Sequence, residues 1–239
     1  MNKITLRIDA SPQNPVSLAD AAAEQFINGN VPAHLIITLE AAADVAIQVV
    51  DDLATTHEVV VKHEITLIAH KRATIDYRMK ATMPNEGQEQ MSATTIEKHI
   101  TTRLVGQHAT INVHSACYAS GKQVYKFNTL QDHVVADTTS NLMIKAICDD
   151  TARLNSNNMI RIHKGAQRSN AEQANKNILL SKTARAVSVP QLEIEANDVR
   201  CKHGAAVSML NEEQIFYLQS RGIGATQTRD ILVQAFLAG

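Results

Sequence analysis

Near the C-terminus, Cys201-Lys202-His203 brings together a thiol and an imidazole, two side chains able to ligate metal or move protons. The segment upstream, Leu192-Glu193-Ile194-Glu195-Ala196, alternates apolar and polar residues as a strand does. On an extended backbone residues i and i+2 point to one face, so Cys201 and His203 could share a site. Both are soft or borderline metal ligands, and Lys202 could depress the thiol pKa. Two ligands do not close a metal site, so His203 as a metal ligand needs further donors from elsewhere. Taken alone, the spacing is better explained by a buried Cys beside a hydrogen-bonded His.

No other chemistry-bearing motif competes. The sequence has no phosphate-binding Gly-x-x-x-x-Gly-Lys-[Ser/Thr] loop, no Gly-x-Ser-x-Gly elbow, no His-Glu-x-x-His and no Cys-x-x-Cys. His34, His57, His63, His70, His99, His108 and His114 lie isolated among alternating segments, where solvated or hydrogen-bonded surface roles are expected. Asp51-Asp52 and Asp149-Asp150 fall where strands should stop, which suits turns better than catalysis.

The elements that must position Cys201 and His203 follow from composition and period. The chain has 239 residues, of which 44% are hydrophobic, enough to bury a sizeable core. Its net charge of −1 gives no electrostatic case for nucleic acid. No apolar run reaches the ~18–20 residues of a membrane helix. Met1-Asn2-Lys3-Ile4-Thr5 lacks the layout of a signal peptide. Three cysteines give no disulfide framework, so a reducing, cytoplasmic setting is expected. Aromatic residues are only 3%, and Gly and Pro are scarce, so the core must be built from Ala, Val, Ile, Leu and Thr in thin layers.

From residue 33 to about 190 the dominant period is two: Leu35, Ile37 and Leu39; Ile65 and Leu67; Ile96, Ile100 and Leu104; Leu142, Ile144, Ala146 and Cys148. A short pattern beginning at Ala43 recurs from Ala73, Ala109 and, loosely, Ala152, at irregular intervals. Many short strands without intervening helices, with repeated inward small and aliphatic positions, predict a mainly β chain. The expected fold is a right-handed parallel β-helix, a solenoid, with Ala73, Ile75, Ala109, Ile111 and Val113 inward. A β-sandwich is the alternative. The N-terminal 1–32 reads as a peripheral segment with a short helix over Ser17 to Asn28, followed by the core at 33–205.

Residues 206–239 change period. Asn211-Glu212-Glu213-Gln214 starts a helix in the manner of a capping box, and Arg221-Gly222 ends it. A second helix opens at Thr226 with Ile231, Leu232, Ala235 and Phe236 as its stripe. The result is a small helical hairpin.

The run Pro190-Gln191-Leu192-Glu193-Ile194-Glu195-Ala196-Asn197-Asp198-Val199-Arg200-Cys201-Lys202-His203-Gly204-Ala205 closely resembles the C-terminal signature of the SufB/SufD family. That family comprises the scaffold subunits of the SUF iron–sulfur cluster assembly machine. The resemblance continues through Glu212-Glu213-Gln214-Ile215-Phe216-Tyr217-Leu218-Gln219-Ser220-Arg221-Gly222-Ile223 and upstream through Asn177-Ile178-Leu179-Leu180-Ser181. It is closer to the SufD type, which carries a Cys-x-His-Gly run like that of Cys201 to Gly204; the SufB type has an acidic residue where Gly204 stands. The chain is unusually short for the family, whose members have a longer N-terminal region.

The resemblance implies a β-helical core and a non-catalytic scaffold role. A SufC-type ATPase would dock on the C-terminal helices through Phe216, Leu218, Arg221, Ile231, Leu232 and Phe236. A SufB-type scaffold, or a second copy of the chain, would bind through the β-helix. His203 then corresponds to the SufD-type His implicated in cluster assembly, and a transient Fe–S cluster at a subunit interface could use Cys201 and His203 as incomplete, exchangeable ligands. A buried structural thiol explains Cys201 equally well. Two alternatives are a degenerate adaptor that only binds the ATPase, and a β-solenoid enzyme acting on carbohydrate or acyl substrates.

Overall fold

The computed structural model describes residues 2–9, 14–18, 20, 34–51, 60–79 and 95–238. Among them the strands are β1 (Asn2–Ile8), β2 (Val16–Ser17), β3 (His34–Ala41), β4 (Ala46–Asp51), β5 (Val60–Ala69), β6 (Thr74–Met79) and β7 (Thr95–Leu104). They continue as β8 (Thr110–Ala119), β9 (Val124–His133), β10 (Thr139–Cys148), β11 (Arg153–Ile162), β12 (Asn170–Leu179), β13 (Arg185–Ile194) and β14 (Arg200–Met209). Helices α1 (Glu212–Ser220) and α2 (Ala225–Ala238) follow.

The odd-numbered strands form one sheet in the order β1-β3-β5-β7-β9-β11-β13, and the even-numbered ones a second, β14-β12-β10-β8-β6-β4-β2. Each strand pairs in parallel with the strand two further on, as β8 does with β10 and β10 with β12. The chain therefore alternates between two sheets as it winds, which is a parallel β-solenoid and excludes a sandwich of hairpins. One face of each sheet turns inward and the other outward, so the strands alternate where doubly covered parallel sheets read as continuous apolar runs. β7 shows it: Ile96, Lys98, Ile100, Thr102 and Leu104 are all buried.

Stacking of like positions builds the core. Ile47, Ile75 and Ile111 lie side by side, as do Val49, Tyr77 and Val113. Ala73, Ile75, Ala109, Ile111 and Val113 are all buried. The register corrects the repeat in two places. Ala73 is equivalent to Val45, because Thr74 pairs with Ala46, so the copy beginning at Ala43 is offset by two residues. Ala152 precedes β11 and belongs to the other sheet. The solenoid also reaches beyond 33 and 205: β1 pairs with β3, and β14 runs to Met209. Of the expected N-terminal helix, Ser17 Oγ accepts from Asp20 N at 3.0 Å, as a cap would, while residues 19 and 21–33 lie outside the described residues. His57 lies outside them too.

Turns without glycine explain the scarce punctuation. Asp44, Arg72, His108, Asp137 and Arg168 adopt positive φ at successive corners. Each donates its backbone N–H to the next coil, for example Arg72 to Gln107 O and Asp137 to Gln167 O. Side chains reinforce this ladder, since Arg168 grips Asp137 with two bonds of 2.7 and 2.6 Å. At Gly106 the backbone approaches so closely that a Cβ would lie 2.0 Å from Lys71 N.

The interior is apolar only in part. The main apolar cluster fills the coils from Ile4 to Leu154. Inward positions of the later strands carry Thr129, Gln131, His133, Ser140, Ser156, Asn158, Gln173, Asn175 and Asn177, all buried. Two carboxylate and histidine expectations also change. Asp51 is a buried partner of Lys98, at 2.8 Å, and Tyr77 donates to the same carboxylate. His63 is 1% exposed, and neither ring nitrogen meets a partner among the described residues.

Candidate functional site

Strand β14 closes the even sheet and β13 the odd one, so together they form the open end of the solenoid. Their inward positions should be paved by a further coil, and among the described residues none follows. Leu192, Ile194, Val207 and Met209 consequently stay exposed. Terminal strands also present backbone N–H and C=O groups along their free edge.

Cys201 and His203 both stand on the inward face of β14, aligned with the buried Ala171 and Gln173 of β12. The expectation of a shared face holds. Their environments differ. Cys201 packs against the small cluster of Ile160, Ile162, Ala166, Ala171 and Ala196, and this burial raises its thiol pKa. Lys202 alternates to the opposite face, and the thiol pKa goes up with burial where Lys202 could have lowered it. His203 is exposed. Among the described residues no group of three or more His, Cys, Asp or Glu side chains could hold a metal ion. The pair can therefore donate one imidazole nitrogen and, with less ease, one thiol to something that brings its own ligands.

Beneath β14 lies the polar interior that the sequence reading missed. Asn175 Nδ2 donates to Ser156 Oγ at 2.9 Å, and Asn177 Nδ2 to Ser188 Oγ at 3.2 Å. Further in, Gln131 Nε2 donates to Ser140 Oγ at 2.6 Å, and Ser140 Oγ lies 2.7 Å from His133 Nε2. The other ring nitrogen of His133 lies 2.7 Å from Thr138 Oγ1. Burial lowers the His133 pKa to about 4, against a smaller opposing pull from Asp132. The signal was present: Gln131 with His133, Ser156 with Asn158, and Gln173 with Asn175 and Asn177 each hold i, i+2 positions in strands.

The helical hairpin occupies the outer face of the even sheet. Asn211 caps α1 by accepting from Glu213 N and Gln214 N, and Gly222 at φ 87° ends it. α2 anchors through Val233, Phe236 and Leu237 on Tyr118, Ile147, Ile178, Leu180 and Leu210. Lys145 Nζ donates to Phe236 O at 2.9 Å and stands 5.4 Å from that ring, while Arg229 pairs with Asp149. No residue of α1 is buried among the described residues. Of the six predicted docking residues, Leu218, Ile231 and Leu232 line a groove between the helices with Glu213, Gln214 and Tyr217. Phe216, on α1, is 75% exposed, and Arg221 places its guanidinium 5.4 Å from the Tyr217 ring. Phe236 instead serves the anchor, because the i+3 step from Val233 puts both on the face toward the sheet. Tyr217 and Val233 were missed.

The family model for the SUF system FeS cluster assembly SufBD core domain matches residues 37–236, which takes in the solenoid from within β3 onward, its open end and nearly all of the hairpin. The chain belongs to the SufBD family. It is similar to the iron–sulfur cluster assembly protein SufD of Escherichia coli, 32% identical over 148 residues, covering 62% of this chain and 35% of the relative. An iron–sulfur cluster assembly SufBD family protein of Synechocystis is 38% identical over 97 residues, 41% of this chain and 21% of its own length. The chloroplastic protein ABCI7 of Arabidopsis thaliana is 43% identical over 77 residues, 32% and 16% of the two chains. These matches span about a third or less of the relatives' lengths. Within this SufBD chain, the family's core domain ends on the strand and hairpin that carry the candidate site.

Proposed function

We propose that this SufBD chain is a SufD-like, non-catalytic scaffold in iron–sulfur cluster assembly. The nascent cluster is cargo: it would be held at the open end, between this chain and a second β-helical scaffold or a second copy, with His203 as an exchangeable ligand. The observation that carries this reading is an exposed imidazole on the inward face of the terminal strand β14, where an added coil from a partner would cover it. An imidazole nitrogen that carries no proton has a lone pair able to ligate iron. Cys201, with its thiol pKa raised by packing, is assigned a structural role. The α1–α2 groove would receive a SufC-type ATPase, which alone would hydrolyse nucleotide. Three free thiols, two of them buried, fit a reducing cytoplasm.

Anaerobic reconstitution of the complex, followed by the visible absorbance of the Fe–S chromophore, tests the reading. His203→Ala should leave folding and partner binding intact, because an exposed side chain contributes little packing, and should cut chromophore formation at least tenfold. Cys201→Ser should cost less. Full chromophore from His203→Ala would leave only an adaptor that binds the ATPase.

A further inference from the structure

Gln173 stands beside His203 on the inward face, one strand deeper, and it is an anomaly in the interior. Its side chain is 2% exposed, yet neither its amide nitrogen nor its amide oxygen has a hydrogen-bond partner among the described residues. A buried amide left in that state is destabilising, whereas an apolar side chain of the same shape carries no such penalty. The neighbouring Gln131 shows the matching gap. Its Nε2 donates to Ser140 Oγ at 2.6 Å and to Glu172 O at 3.3 Å, while its Oε1 has no partner. Gln131 thus reaches across to the backbone next to Gln173 and offers an acceptor there.

We propose that Gln173 is the positioning residue of His203, its amide bridging the imidazole to the buried network that ends at Gln131. The inference rests on the reading of His203 as a ligand, and it adds how that ligand is oriented. The direction of the bonds follows from the network. Both observed bonds of Gln131 use its Nε2, so its Oε1 must accept. Gln173 Nε2 donates to it, directly or through one water, which leaves Gln173 Oε1 to accept from an imidazole N–H. The ring nitrogen nearest Gln173 is then the protonated one, and the other presents its lone pair outward, toward whatever covers the open end. Ligating histidines generally have their second nitrogen held this way, since a fixed N–H sets the tautomer and ring orientation. Adjacent parallel strands lie about 4.8 Å apart, within reach of one side-chain rotation.

The test is the tautomer itself, read by ¹⁵N NMR of the imidazole in the full chain labelled at histidine, at a pH where the ring is neutral. The wild type should show one dominant tautomer for His203, assigned by its absence from His203→Ala. Gln173→Leu should remain folded and return the ring to the mixture of a free imidazole. Gln173→Glu, which keeps an acceptor oxygen, should restore the single tautomer. Gln173→Met provides a second apolar replacement if the branched one disturbs packing. A free-imidazole mixture in the wild type, or an unchanged tautomer in both apolar variants, would overturn the proposal. The measurement needs neither partner nor cluster, so its failure removes Gln173 and leaves the His203→Ala reconstitution to decide the assembly role.

Discussion

Two buried groups carry most of what pH and substitution can reveal at the scale of single residues. Burial, with the Lys98 charge adding to it, lowers the His63 pKa to about 3, and burial lowers that of His133 to about 4. The unfolded chain protonates both near the ordinary 6.5, so it binds more protons than the folded chain below that pH. Their contribution is complete above about 6.5 and is lost as pH falls toward 4 and then 3. Chemical denaturation at pH 7 and pH 5 should show the protein less stable at pH 5, and His63→Leu should flatten that dependence. His63→Leu should also keep its stability at pH 7, because no hydrogen bond to the ring is broken. Lys98→Met is the opposite case. Burial pushes the Asp51 carboxyl pKa up, but Lys98 and the Tyr77 hydroxyl outweigh it and hold it below the usual range. Removing the ammonium takes the counter-charge from a carboxylate that is 3% exposed, so the variant should lose about 3–5 kcal/mol by urea denaturation. Asp51→Asn added to Lys98→Met should recover much of that loss.

Among the elements, α1 and α2 have separate jobs although they form one hairpin. α2 is fastened by apolar packing from Val233 and Phe236, by Lys145 and by the Arg229–Asp149 pair. α1 has no such anchor, and a nine-residue helix is marginal in water by itself. Its cap and its contact with α2 hold it, and its apolar residues Phe216 and Tyr217 remain outside. Ile231→Glu, placed in the groove and away from the anchor, should leave thermal unfolding within a few degrees of wild type. Co-purification of the proposed ATPase partner with that variant should fall at least tenfold; undiminished recovery would overturn docking in the groove.

At the scale of the molecule, the solenoid is an unfinished stack. Among the described residues no coil stacks on the last one, whose inward Leu192, Ile194, Val207 and Met209 are exposed, as is His203. A partner scaffold that continues the stack would bury these residues and exclude water from His203 in the same step. Val207→Lys should therefore weaken scaffold association, read as a shift toward the single chain in analytical ultracentrifugation, with the fold's circular dichroism unchanged. An unchanged association state would overturn the open end as the proposed scaffold interface.

Much of this architecture was legible in the residues because its causes are local. Alternation marked the strands, small and β-branched residues at inward positions marked stacked coils, and Asn211 and Gly222 marked the ends of α1. Cys201 and His203 were likewise placed on one face by the period of two. Register was not legible: loops of varied length separate the coils, so Ala43 and Ala152 looked equivalent to Ala73 until strand pairing assigned one an offset and the other a different sheet. Burial of polar groups escaped for the same reason. Whether Asp51 ends a turn or meets Lys98, 47 residues away, depends on which coil lies opposite. Gln173 is an ordinary strand residue in sequence, and only the winding of the chain sets it in the interior beneath His203.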